Sequence, residues 1–492
     1  MHPDRDFEAE AKLPRQEPAL TQDLELETLV HAMAGQDDTI RRVAYTALSN
    51  AVSNDFETIA HRQAVLKDCI ANPAAVRELY DLAGEALAAQ KKHYFGISAR
   101  YPSILLHTAR DLLQAHVAVL REVRRVADAG AGSFGSKGFS TLIEMLRRDL
   151  TDEYLAEIEH HLAYVRYSEA LLTSAELGEG NEGSNYVLRL PSRSTPSWVD
   201  RLLRKRPEAY TFRLDPRDEA GARTLSELRD QAQNRVANAL AQSADHVSGF
   251  FETLRNELAF YLGCVRLHDA LGAMGARVCF PIPSPVGSGT NSVRGLYDPC
   301  LALTLRRAVV GNTVDVGPKR LVVITGANQG GKSTFLRSIG VAQLMMQAGM
   351  FVAAEELSAE PCRGLFTHYR REEAPITKRG KLDEELARMS DIADGLVPHA
   401  MVLFNESFAS TNEREGSEIA TQIARALVER RVRVFFVTHQ YDFAHRFVGS
   451  PDALFLRAER LPDGTRTFRL VEGEPQKTSY GQDLYREVFG PS

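Results

Sequence analysis

Residues 321–339 constrain this chain more than any other segment. Leu321-Val-Val-Ile-Thr-Gly326-Ala-Asn328-Gln-Gly330-Gly331-Lys332-Ser333-Thr334 runs four apolar residues into a G-x-x-x-x-G-K-S loop, and Phe335-Leu-Arg-Ser-Ile339 then opens an apolar-periodic helix. A glycine-rich loop between a buried strand and a helix N-terminus turns backbone N–H groups toward an anion, and glycine lets the backbone come close to it. The strand–loop–helix context separates this segment from an ordinary glycine-rich turn. The spacing predicts a nucleoside triphosphate site, with Lys332 bridging the β- and γ-phosphates and Ser333 giving an oxygen to Mg²⁺.

The segment Ile324–Met350 resembles the MutS family of mismatch-repair ATPases, whose near-identical loop has asparagine at the position of Asn328. Three further segments carry the resemblance in the same order. Met401-Val-Leu-Phe-Asn405-Glu406 is similar to the family's acid-ending strand, with Ser407–Asn412 as the loop after it. Phe435-Phe-Val-Thr438-His439 looks like the strand and histidine that sense the γ-phosphate, and Ser479-Tyr480-Gly481 matches the motif that closes the domain. From about residue 291 onward the resemblance implies a three-layer α/β P-loop (ABC-like) ATPase domain. It also implies ATP and Mg²⁺ as cofactors, a phosphate cradle of Gly326, Asn328, Gly330, Gly331, Lys332, Ser333 and Thr334, and a homodimer with two composite nucleotide sites. No LSGGQ-like signature is present, which argues against a transporter-type ATPase.

Hydrolysis needs a polarised water, a metal and a γ-phosphate sensor. Glu406, after an apolar run, is the candidate for orienting or deprotonating the water, and His439 for contacting the γ-phosphate. The metal position is shared between Ser333 and Asn405. The family has aspartate where Asn405 stands; an amide accepts a hydrogen bond from metal-bound water but removes a negative charge, so slower turnover or weaker Mg²⁺ binding is expected. A second departure lies upstream. The family's serine-centred segment, which reaches the partner's nucleotide, falls on Gly380 and Lys381. Lys381 could neutralise γ-phosphate charge across a dimer, or Lys378, Arg379 and Lys381 could form a solvated basic loop.

The rest of the chain reads as multidomain and largely helical. Residues 1–20, with Pro3, Pro14 and Pro18 among acidic residues, suggest a flexible tail. Residues 21–135 form an all-α core, with Asn72-Pro73 starting one helix and Gly130–Gly138 breaking the run. Residues 136–290 are expected to be a lever: a helix from about Thr141 to Leu177, a small β insertion near 178–216, and a long helix from Pro216 to Met274. Gly178–Gly183 reads as a loop, and Tyr186–Leu190 and Tyr210–Leu214 alternate as two short strands. A lever with a DNA-gripping β clamp is also what the family resemblance implies. Phe280–Gly289, rich in proline, glycine and serine, suggests a joint to the ATPase domain at 291–492. The phenylalanine-containing mismatch-reading module of repair MutS proteins is not found.

The 492 residues, with 44% apolar and 25% charged, suit an ordinary globular protein. There is no apolar leader and no run of membrane-spanning length, so a cytoplasmic protein without membrane contact is expected. Cys69, Cys264, Cys279, Cys300 and Cys362 are scattered and lack C-x-x-C spacing, which predicts reduced thiols rather than a zinc site. The net charge of −6, its surplus acid lying before residue 291, argues mildly against nucleic acid. The exception is Arg201-Leu-Leu-Arg204-Lys205-Arg206 in the β insertion. It could contact phosphates without reading sequence, or be a solvated face; Trp198 beside it could stack on a base or pack. Two readings therefore stand. One is a dimeric, nucleotide-gated clamp on DNA, structured or branched rather than mismatched, acting in repair or recombination; the other is an ATP-binding dimeric scaffold with weak hydrolysis and no DNA contact.

Overall fold

Apolar runs without polar alternation belong to strands covered on both faces, and three such runs build the middle of one sheet. The computed structural model describes residues 2–94, 102–167, 173–177, 183–188, 219–371, 380–461 and 465–476. Its described strands are β1 (Thr173–Leu177), β2 (Gly183–Leu188), β3 (Ile282–Pro283), β4 (Asn291–Leu296), β5 (Asn312–Asp315), β6 (Leu321–Thr325), β7 (Glu356–Ala359), β8 (Leu365–Tyr369), β9 (Met401–Asn405), β10 (Arg433–Val437), β11 (Ala453–Arg460) and β12 (Arg466–Glu472). Six of them form a sheet in the order β12-β11-β6-β10-β9-β8, all parallel except the edge strand β12. Val437 stands opposite both Ile324 and Asn405, so β6, β9 and β10 finish level at their carboxyl ends.

Helices cover both faces of that sheet. Leu321, Val323, Val402, Phe404, Val434 and Phe436 pack into one apolar cluster with Ala420, Ala424 and Leu427 of the helix Glu413–Glu429. The alternate residues face the helix Lys332–Gln347, where a Cβ on Gly340 would come within 2.7 Å of Leu403. A four-stranded sheet, β3-β7-β4-β5, lies in the same compact unit. The fold is thus mixed: helical and α/β, with two mixed or parallel sheets and a short hairpin.

Backbone contacts divide the chain into two units, one comprising Met1–Val76, Ser133–Ser140 and Asn256–Ser492, the other Arg77–Gly132 and Thr141–Arg255. The 55-residue helix Glu219–Ala273, expected from the sequence, contributes residues to each. In the second unit the helices Pro102–Ala129 and Asp152–Tyr167 join this long helix through Leu106, Val165 and Ala237.

Several sequence expectations need correction. The proposed tail is seated: Glu17–Asp23 is helical, Leu20 and Ala9 are buried, and Thr46 donates a hydrogen bond to the Ala9 carbonyl at 3.1 Å. Apolar residues that bury against the core outweighed the disordering prolines. The single helix expected over 141–177 is broken after Asp149. Arg124 caps the carbonyls of Arg147 and Leu150 at 2.6 and 2.9 Å, and the Thr151 hydroxyl accepts the Tyr154 N–H to start the next helix. Thr173–Leu177 is then a strand, paired antiparallel with β2. The insertion therefore begins earlier than expected, and Gly183 belongs to a strand; residues 210–214 lie outside the described residues. The joint at Phe280–Gly289 does not separate units, because Ile282–Pro283 pairs with β7 inside the first one.

Candidate active site

Three loops leave the level carboxyl ends of β6, β9 and β10, which is where open α/β sheets hold their ligands. The loop after β6 is the glycine-rich one. Gly326 has φ +118°, and a Cβ there would sit 2.9 Å from the Ala458 backbone nitrogen; a Cβ on Gly330 would reach the Ala458 side chain at 2.7 Å. Only glycine fits a backbone held this close to β11. The helix then starts at Lys332, leaving its first N–H groups open toward the cleft.

The side chains the sequence singled out converge here. Lys332 is 4% exposed, and its ammonium donates to the carbonyls of Gly326 at 3.0 Å and Ala327 at 2.9 Å. Burial pulls its pKa down to about 8, opposed by the nearby Glu406 carboxylate. The Ser333 hydroxyl donates to Asn405 Oδ1 at 2.9 Å. His439 Nε2 lies 2.8 Å from Glu406 Oε1 and 3.4 Å from Lys332 Nζ. One ring nitrogen cannot both donate to the carboxylate and accept from the ammonium, so the shorter contact is the hydrogen bond. Burial would raise the Glu406 carboxyl, but the hydrogen bond and charge of His439, with Lys332, hold it below its usual value. Asn328 and Thr334 belong to the loop and the helix's first turn. Lys381 instead stands exposed at the start of the helix Lys381–Gly395.

Beside Gly331 and Thr334 opens a cavity of 620 Å³, walled by Tyr297, Leu301, Val310, Phe335, Gln329 and Phe468. Gln329 and Phe468 both have left-handed backbones, and Arg466 donates to Gln329 at 2.6 Å. Sequence reasoning missed this wall, since its residues come from separate elements and no spacing links them.

The arrangement offers an anion a buried ammonium, glycine-lined backbone and a helix N-terminus, with an apolar slot alongside for a flat group. Among the described residues no three His, Cys, Asp or Glu side chains group as metal ligands. A Mg²⁺ ion that keeps mostly phosphate and water oxygens needs few protein ligands, and the Ser333–Asn405 oxygen pair fits that minimal role. Arg201, Arg204, Lys205 and Arg206, Trp198, and Ser479–Gly481 lie outside the described residues.

Comparisons with known proteins reach both units. A family model described as the MutS2 N-terminal domain matches residues 54–274, and one described as MutS domain V matches residues 322–489. An "Endonuclease MutS2" of Anaeromyxobacter sp. (strain Fw109-5) is 30% identical over 205 residues, covering 39% of this chain and 24% of that protein. A "DNA mismatch repair protein MutS" of Thermus thermophilus is 29% identical over 179 residues, 36% of this chain and 22% of that protein. An "Endonuclease MutS2" of Lacticaseibacillus casei (strain BL23) is 29% identical over 265 residues, 50% of this chain and 33% of that protein. The chain thus spans a third or less of the length of these relatives. The match over 54–274 extends the likeness to helices that carry no local motif.

Proposed function

This chain belongs to the MutS-like family, and from that premise we propose that it is an ATPase whose nucleotide cycle opens and closes a dimeric clamp on DNA. The observation that carries the reading is the meeting of Lys332, Ser333, Asn405, Glu406 and His439 at the carboxyl ends of three adjacent strands. In this reading the six-stranded sheet with its flanking helices is a three-layer P-loop ATPase domain. The 620 Å³ cavity takes the base, and Phe468 and Tyr297 supply its flat walls. The loop N–H groups and Lys332 hold the phosphates.

Glu406, kept ionised by His439, accepts a proton from the attacking water as its oxygen bonds to the γ-phosphorus and the bond to the ADP oxygen breaks. His439 holds that carboxylate in place and faces the γ-phosphate. Ser333 and Asn405 would hold Mg²⁺, which when bound neutralises charge on the phosphates. Lys381, a cation exposed at a helix start, is suited to act on a second protomer's nucleotide, in a homodimer.

DNA contact rests on family membership and on the relatives named for mismatch repair or endonuclease activity, with Arg201, Arg204, Lys205 and Arg206 as the candidate phosphate contacts. In this reading the DNA is branched or otherwise structured rather than mispaired. No helix among the described residues is long and apolar enough to cross a membrane; the proposed place of work is the cytoplasm. Asn405 favours a second reading, an ATP-gated scaffold with weak hydrolysis and no DNA contact.

Two measurements test the proposal. Glu406→Gln keeps the shape of the site and removes the base, so ATP affinity should persist while turnover stops. Turnover at the wild-type rate would move catalysis elsewhere. DNA binding measured with duplex, branched and single-stranded probes, with and without ATP, separates the clamp from the scaffold, for which no salt-sensitive binding is expected.

A further inference from the structure

The turn that follows β9 is built unusually. Glu406 and Phe408 both have left-handed backbones, at φ +53° and +60°, bracketing the buried Ser407. Non-glycine residues keep such conformations only where surrounding contacts over-determine them. Gln440 and His368 supply such contacts. Gln440, next to His439, donates to the Phe408 carbonyl at 3.1 Å. His368, on β8 and fully buried, stacks on Phe408 with centroids 5.1 Å apart and places Nδ1 2.8 Å from Ser407 Oγ. Its other nitrogen, Nε2, lies 3.0 Å from the Glu385 carbonyl, in the helix Lys381–Gly395. The same helix returns to the turn a second time, where Ser410 donates to the Glu385 carboxylate at 3.2 Å.

We propose that His368 is a positioning residue for Glu406, and that it carries the position of the helix Lys381–Gly395 into the catalytic turn. Burial pulls the ring's pKa down to about 4, so at neutral pH it has one N–H to give. On Nε2 that proton serves the Glu385 carbonyl, and Nδ1 must accept the Ser407 hydroxyl. On Nδ1 it is donated to Ser407, whose own O–H is then released to the His368 carbonyl 2.5 Å away. With the proton on Nε2 the ring serves the helix carbonyl and holds the Ser407 hydroxyl together; with it on Nδ1 the Glu385 carbonyl loses this donor and Ser407 turns its O–H to the β8 carbonyl. A shift of the helix that begins at Lys381 therefore changes which bonds fix Ser407, one residue from Glu406. These bonds run between β8, the helix and the turn rather than to the phosphate loop, so the effect falls on turnover rather than affinity.

The inference rests on the reading of Glu406 as the catalytic carboxylate. Its test uses the full chain and three readouts: ATP affinity, turnover at saturation and thermal stability. His368→Phe keeps the ring stack and loses both nitrogens; Ser407→Ala removes only the hydroxyl. Each should lower turnover about 10- to 100-fold, as sub-ångström misplacement of a catalytic group does, with ATP affinity within about twofold of wild type. The double variant should be no slower than the slower single one, because both act on one link. His368→Asn, which keeps an amide near the Nδ1 position, should recover most of the loss. Wild-type turnover in both single variants, or losses that multiply in the double one, would overturn the relay. So would affinity and stability falling in step with turnover in every variant. If Glu406→Gln itself turns over normally, the reading beneath the relay fails; if Glu406→Gln is inactive while His368→Phe is normal, only the relay does.

Discussion

Lys332 gives the proposed site a pH signature that can be worked out from its surroundings. A lysine in water titrates near 10.5, and burial in the loop brings this one to about 8. Phosphate oxygens would restore the charged form, returning the lysine toward its ordinary value in the bound state. Between the two values, binding ATP takes up one proton. Affinity should therefore be flat below pH 8 and fall tenfold per unit above it. From pH 7.5 to 9.5 that amounts to about 25-fold, with the triphosphate itself fully ionised throughout. The sign for stability runs the other way. In the ATP-free protein the folded lysine gives up its proton more readily than the unfolded one, so stability should rise as pH climbs from about 8 to about 10.5. The assay is equilibrium binding of a non-hydrolysed ATP analogue at pH 7.5, 8.5 and 9.5, beside Lys332→Arg. Arginine stays charged over this range, so its curve should be weak but level. A wild-type curve that stays level, or an arginine variant with the same slope, would refute the assignment of the titration to Lys332.

The other predictions concern the metal position and the basic cluster. Asn405→Asp should raise turnover or sharpen its dependence on Mg²⁺ concentration, since a carboxylate accepts the Ser333 hydroxyl more strongly than an amide; a steady-state Mg²⁺ titration reads this. Replacing Arg201, Arg204, Lys205 and Arg206 with alanine should weaken DNA binding equally across sequences and flatten its salt dependence by up to about 0.9 per lost phosphate contact. ATP binding should survive, and an unchanged salt slope would reduce the cluster to a solvated face.

The phosphate loop was legible because its chemistry is local: glycines, lysine and serine must be contiguous to work, so they announce themselves as a string. Asn405, Glu406 and His439 were legible because each ends an apolar run, and parallel strands finish level. The wall of the cavity was not. Tyr297, Gln329 and Phe468 are brought together only by the sheet edges and by left-handed turns at two of them, and no period or spacing encodes that. His368 was hidden for a related reason. In sequence it is one histidine in Leu365–Tyr369, and only the pairing of β8 with β9 sets it beside the turn after Glu406. The error over residues 141–177 has another origin. Apolar spacing ran on through Leu150 and Thr151, while the capping bonds of Arg124, a long-range partner, ended the helix there.

Asn405 ties the electrostatics of the site together. Lys332 is buried, and the charge that opposes its loss of a proton is Glu406. Glu406 is shared, because its carboxylate also holds His439 at 2.8 Å. A second carboxylate at position 405, touching Ser333 beside Lys332, would lift the lysine's pKa by roughly a unit or more, as close opposite charges do. The amide therefore does two things at once. It keeps the acceptor that orients Ser333, and it leaves the lysine under-compensated until phosphates arrive. Aspartate at this position should thus move the break in the pH–affinity curve upward from about pH 8 as well as change the response to Mg²⁺. A variant that alters the Mg²⁺ response but leaves the break where it was would mean that Lys332 is governed by the loop carbonyls and Glu406 alone.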